Sequence, residues 1–279
     1  SLPRPPERAL PALLEVAAAL DPAAPSLLLP EARRVLIVVP HPDDESIGAG
    51  GLLARLAARG VRIDAVLVTD GEATIGSRLG GQETGRRRRA EFVDACATLG
   101  VGVHATLTLP DGAVADHHPT LTTAVADAVR TLGPDLVLAP WPLEAHPDHR
   151  AALRASAEAL IGVAHTGSGA VTLWTYEAHT PIPNPSHVID ITDHVDVKRA
   201  ALAAHVTAAG AFDLTACLAL ARWRSLATRA GRGEAEAFLA LAPDAALTLL
   251  AAASAPAAPL APAPAAQPPV SDSEAEVPA

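Results

Sequence analysis

The sequence predicts an α/β chain: a Rossmann-like, mostly parallel sheet with helices on both faces. Three observations carry this expectation. Strand-like and helix-like segments alternate along the chain, the pattern of repeated βα units. Val35-Leu36-Ile37-Val38-Val39 and Leu136-Val137-Leu138-Ala139 are unbroken apolar runs, the mark of strands buried on both faces. The 279 residues are 49% hydrophobic, enough to fill one large domain.

The elements follow in order. Residues 35–39 form the first strand, 49–58 a helix and 63–68 a second strand. Residues 87–99 read as a helix closed by Gly100. A strand at 103–109, a helix at 121–132 and the strand at 136–139 come next, then a helix through Leu153 and Leu160. Late strands are expected at 171–176 and 188–191, and helices over much of 195–250. Residues 31–250 are therefore expected to be the folded domain. Residues 1–30 read as an N-terminal extension with a helix-like run at 9–20. The Ala/Pro-rich segment 251–279 has little to bury and reads as a disordered tail.

Composition narrows the function. Lys plus Arg is 21 against 31 for Asp plus Glu, a net charge of -10, which argues against nucleic acid as a partner. The basic run Arg86, Arg87, Arg88, Arg89 is too short to reverse this. Its members cannot share one helix face, so it reads mainly as a solvated face, with an anionic substrate group as the other reading. Two cysteines make no disulfide framework, and Cys96 reads as a buried free thiol among Phe92, Val93 and Leu99. The apolar stretch 245–266 is broken by Ser254 and four prolines, so no integral membrane segment is expected. With no basic n-region and no cleavage site near the start, the expected location is cytoplasmic. Few aromatics and no Met leave Ala and Leu as the main filling, which reads as a GC-rich or heat-adapted bacterial background. A homo-oligomer is compatible with the sequence.

In parallel sheets, ligands bind beyond the carboxyl ends of the strands. Pro40-His41-Pro42-Asp43-Asp44-Glu45-Ser46 follows the first strand, and Glu144-Ala145-His146-Pro147-Asp148-His149-Arg150 follows the strand at 136–139. Imidazole and carboxylate are a zinc ligand set, and three of them plus a water make a catalytic rather than a structural site. His41 and Asp44 can point at one ion from a turn entering a helix. Asp43 is then left beside the ion, where a carboxylate can take a proton from water. In the second loop one histidine can bind metal while the other faces substrate, and Asp148 can hydrogen-bond an imidazole and fix its tautomer. His104, His117, His118, His165, His179, His187 and His194 read as ordinary surface or core residues.

Taken together, the two motifs resemble those of the LmbE-like, or PIG-L, superfamily of zinc N-deacetylases over roughly residues 32–241. Gly50-Gly51, Thr69-Asp70-Gly71-Glu72, Arg88 with Glu91, Asp111, and Lys198, Ala201-Leu202 and His205 are similar to further family features. The resemblance implies an LmbE-like deacetylase fold and a set of roles. His41, Asp44 and His149 would hold Zn2+, with Fe2+ or another divalent ion able to use the same ligands. Asp43 would be the general base. His146 would stabilise the oxyanion or act as acid, and Asp148 would orient His146. Arg88 would contact substrate, and Glu45 and Asp111 would be substrate or supporting groups. Two departures, Glu144 in place of a family Tyr and Ala208 in place of a family Gln, sit near the expected substrate side.

The implied reaction is removal of an N-acetyl or other N-acyl group from an N-acetylglucosamine-type sugar or glycoconjugate. An amidase on a thiol–sugar conjugate or another small acylated amine keeps the same chemistry. A non-catalytic metal-binding carbohydrate module is the third reading; it would be expected to lack a ligand or the base, and here all are present.

Overall fold

Five apolar side chains in succession leave β1 (Arg34–Val39) no polar face, and the strand lies in the interior of a seven-stranded sheet. The computed structural model describes residues 24–74, 80–164, 171–210 and 213–254. The helix-like run at 9–20 and residues 255–279 of the expected tail lie outside them. β2 (Arg62–Thr69), β3 (Gly102–Leu109), β4 (Leu136–Pro140) and β5 (Thr172–Tyr176) pair in parallel through β1. The order is β3-β2-β1-β4-β5-β7-β6, with β6 at His187–Asp190 and β7 at Ala235–Leu241.

Alternation along β1 divides the core. Val35, Ile37 and Val39 face a layer made by α1 (Asp44–Ala57), α2 (Gly81–Leu99) and α5 (Val195–Ala204), through Leu52, Phe92 and Ala201 among others. Leu36 and Val38 face α3 (His118–Leu132), α4 (Pro147–Ala164) and, after a further helix α6 (Ala216–Arg224), α7 (Pro243–Ser254). Each fully buried Leu or Ile in these layers contributes about 1.5–3 kcal/mol over exposure.

The expected fold is present, with three local corrections. β7 lies in a stretch read as helical, and it runs antiparallel to both β5 and β6. Its Ala and Leu residues favour helix locally, but burial between two strands overrides that preference. α1 starts at Asp44 rather than at 49: its first turn is polar (Asp44, Glu45, Ser46) and shows no apolar periodicity, and Gly48, a poor helix former, is required there by packing. A Cβ on Gly48 would lie 2.3 Å from Tyr176, and one on Gly51 would lie 2.4 Å from Ile191. α2 starts at Gly81, ahead of the apolar periodicity that marks its second half.

α1 is also tied to late elements by a buried ion pair. Lys198 of α5 donates to Glu236 of β7 at 2.6 Å and to the Ile47 carbonyl at 2.7 Å. The same carboxylate accepts the Gly51 and Leu52 N–H groups at 2.8 and 2.7 Å. At the sheet edge, Ser26 forms a bridge with His187 of β6, so the segment just before residue 30 is attached to the domain. α7 runs past Leu250 to Ser254. Among the described residues no helix is long and apolar enough to cross a membrane.

Candidate active site

The chain leaves β1 toward β2 and β3 on one side and returns as β4 on the other. The loops after β1 and β4 therefore diverge, which opens a crevice at the carboxyl edge of the sheet. Both histidine–aspartate motifs sit there. His41 Nδ1, Asp44 Oδ2 and His149 Nε2 form a triangle with sides of 3.3, 3.1 and 3.2 Å. A tetrahedral ion with N and O ligands at about 2.0–2.1 Å has ligand–ligand edges of about 3.3 Å, so the three donors fit one such ion. Asp44 Oδ1 and His149 Nδ1 are buried without a hydrogen-bond partner among the described residues.

The surroundings fix which nitrogen faces inward. His41 Nε2 lies 3.2 Å from Asp111 and 3.3 Å from Asp148, so its Nε2–H points at carboxylates and Nδ1 is the nitrogen that a cation in the triangle would take. His149 Nδ1 faces Glu144 at 3.7 Å, leaving Nε2 on the triangle. Burial opposes a charge on His41, yet Asp111, Asp148 and Asp44 together hold its pKa well above the usual imidazole range. Burial opposes ionisation of Asp44 as well, but His149 and His41 hold its carboxyl well below the usual range. Such a concentration of carboxylates about one imidazole suits a cation.

Asp43 stands beside this triangle in a strained backbone, with φ 134° in a non-glycine residue. Its Oδ2 accepts from Arg88 Nη2 at 3.0 Å, and the same nitrogen donates to the Pro42 carbonyl at 2.7 Å. Burial pushes the Asp43 carboxyl up to about 7; Arg88 lowers it and Asp44 raises it. Arg88 also donates to the carbonyl of Gly71, where a side chain would collide: a Cβ there would lie 2.0 Å from Nη1, at φ +66°. Glycine in Thr69-Asp70-Gly71-Glu72 is thus the space through which Arg88 reaches the loop.

The four-arginine run splits accordingly. Arg86 and Arg87 are exposed and pair with Glu83, Arg88 is buried against Asp43, and Arg89 pairs with Asp70. Glu91 does not pair with Arg88; it accepts from the backbone N–H and hydroxyl of Thr207.

His146 is half-buried, its ring 4.6 Å from His41 and 5.4 Å from His149. Its Nδ1 accepts the backbone N–H of Asp148 at 3.2 Å. Burial, then His41 and His149, lower its pKa, which favours a neutral ring carrying its proton on Nε2. His41, His146 and His149 also come close enough to share an ion, as do His41, Asp111, His146 and Asp148. The family resemblance puts the Asp148 carboxylate behind His146. Here it lies behind His41, held by the N–H groups of Gly112 and Val114 at 2.7 and 3.2 Å. Asp111 is brought to the same nitrogen of His41, with Ala73 N–H donating to it. Glu45 meets the Asp43 N–H at 3.2 Å and His205 Nε2 at 2.8 Å.

Two histidines outside the expected set join the site. His179, read as an ordinary surface residue, stacks on His149 at 5.0 Å. Glu144 seats it there: the carboxylate accepts the N–H groups of Ala178, His179 and Thr180, so the residue anchors a loop rather than meeting substrate. Nothing around His179 in the sequence signals this, because the loop is placed by Glu144 from far away in the chain. His205, one of the late residues similar to family features, is fully buried on Glu45.

A family model described as PIG-L, GlcNAc-PI de-N-acetylase, matches residues 36–160. A diacetylchitobiose deacetylase of Thermococcus kodakarensis is 29% identical over 191 residues, 63% of this chain and 70% of that protein. A Bacillus anthracis protein named probable N-acetyl-α-D-glucosaminyl L-malate deacetylase 2 is 31% identical over 185 residues, 63% of this chain and 81% of its own. Among solved structures, N,N'-diacetylchitobiose deacetylase from Pyrococcus horikoshii superposes with a TM-score of 0.65 at 25% identity, covering 86% of this chain and 94% of that one.

Proposed function

The chain belongs to the PIG-L family of deacetylases, and from that premise we propose that it is a zinc-dependent hydrolase removing the N-acetyl group of an N-acetylglucosamine-type sugar or glycoconjugate. The observation that carries the reading is the triangle of His41, Asp44 and His149 at the sheet's crevice with Asp43 beside it. His41, Asp44 and His149 would hold the cation. When bound, it supplies Lewis acidity and lowers the pKa of a water ligand from 15.7 toward about 7.

The chain's own groups then divide the work. Arg88 occupies Asp43 Oδ2, so the attacking water gives its proton to Oδ1. His146, neutral and protonated on Nε2, donates a hydrogen bond to the oxygen that gains charge as the amide carbonyl is attacked. Asp43 afterwards passes its proton to the departing amine. Asp111 and Asp148 keep His41 in the tautomer that offers Nδ1. Arg88 serves mainly as the clamp on Asp43.

That clamp makes a pH prediction. Asp43 must be ionised to accept a proton, so activity falls on the acid side of its pKa. Arg88 lowers that pKa, so Arg88→Met is expected to move the acid limb of kcat/KM to higher pH. The variant should lose more activity at about pH 6 than at about pH 8.5. A uniform loss across the profile would remove Arg88 from this role.

The reaction is tested by measuring acetate release from N-acetylglucosamine, diacetylchitobiose and N-acetylglucosaminyl malate, with metal content quantified on the same sample. An S-conjugated sugar amide completes the panel. Release that scales with bound zinc is expected. Full zinc occupancy without acetate from any acetylated sugar would reject the sugar deacetylase reading, and turnover of the conjugate alone would move the assignment to an amidase.

A further inference from the structure

Asp43 is held on its side chain by Arg88 and on its backbone at both ends: its carbonyl accepts the Ser46 and Ile47 N–H groups at 3.0 and 2.9 Å. Its N–H donates to Glu45 Oε2 at 3.2 Å. The other carboxylate oxygen of Glu45 accepts from His205 Nε2 at 2.8 Å and from the Ser46 hydroxyl at 2.6 Å. All three of these residues are buried. An ionised carboxylate only accepts, so His205 presents its Nε2–H to it. His205 itself stands at the end of α5, where the chain turns into the short helical turn Val206–Ala209. Glu91 of α2 holds that turn through Thr207. Arg88 comes from the same face of α2, so the grips on the Asp43 carboxylate and N–H trace back to one frame of α2 and α5.

A non-glycine residue at φ 134° persists only where its neighbours over-determine it. We propose that His205 is a positioning residue for the base: by fixing Glu45, it holds the Asp43 backbone in the strained turn that presents the carboxylate to the reacting water. The kinetic part of the proposal rests on the reading of Asp43 as base; the structural part does not. A buried ion pair kept only for stability would have the same contacts but no directional demand on the donor.

The test uses three full-length variants, loaded with zinc. Gln can place an N–H where imidazole Nε2 stands, Asn carries its N–H too short of Glu45, and Leu carries none. His205→Leu and His205→Asn are expected to lose kcat by about 10²-fold with KM within about threefold of wild type, the scale of a misplaced reacting group. His205→Gln is expected to stay within about fivefold of wild-type kcat. Equal losses in Gln and Asn, or a loss confined to KM, would overturn the proposal. Crystal structures of His205→Asn and His205→Gln give a readout that needs no substrate. Asp43 should leave positive φ in the Asn variant and keep it in the Gln variant. Positive φ retained in His205→Asn would overturn the proposal even if the wild type released no acetate, a result that would separately refute the deacetylase reading.

Discussion

Asp43→Asn should lower kcat by about 10²–10⁴-fold, the range for loss of a general base, while leaving bound metal at the wild-type level. Asn has nearly the same shape and tolerates positive φ better than other side chains, so the turn at φ 134° should survive. Its amide oxygen can still accept from Arg88 Nη2, which now spans 3.0 Å to Oδ2. What the amide cannot do is take up a proton. Single-turnover acetate release beside metal analysis checks this. A variant turning over within threefold of wild type would show that another group removes the proton.

The second large effect is of the opposite kind. His149→Ala should abolish metal binding and activity together, with activity down by more than about 10³-fold. The residue is fully buried, and its Nε2 closes the triangle at 3.1 Å from Asp44 Oδ2 and 3.2 Å from His41 Nδ1. Removal also leaves Asp44 buried without one of the two imidazoles that hold its carboxyl ionised. Equilibrium dialysis against zinc separates this variant from Asp43→Asn: one should fail to retain the ion, and the other should retain it without turnover. Zinc retained by His149→Ala with wild-type affinity would remove His149 from the ligand set.

Much of the architecture was legible because its signals are local. The apolar runs at 35–39 and 136–139 have no amphipathic alternative, so they read as buried strands and the motifs after them fall at strand ends. The helix of Ala and Leu predicted where β7 lies failed for the converse reason: composition spoke for helix, and only the gap between β5 and β6 spoke for strand. The start of α1 is hidden by its polar first turn and by Gly48, whose missing side chain lets Tyr176 approach. In the site, residues within one loop were legible as a group. The contacts of Asp148 with His41, of Glu45 with His205 and of Glu144 with the loop of His179 join distant segments, and no spacing in the chain encodes them.

The placement of β7 has a consequence for biosynthesis. On the ribosome, β6 emerges well before β7, yet β7 is the strand that joins β6 to the rest of the sheet. The parallel strands β1 to β5 can assemble while the remainder is still being made, but β6 lacks its strand partner until β7 arrives and is held meanwhile by contacts outside the ladder, from Ser26, Arg55 and Trp174. Lys198 waits with it, since Glu236, its buried partner, is carried by the late strand. Arrival of β7 therefore docks the edge of the sheet and neutralises a charge against α1 in one step. The helix that begins with Asp44 reaches its final packing only when nearly the whole domain has been translated, because Glu236 of the late strand accepts its Gly51 and Leu52 N–H groups.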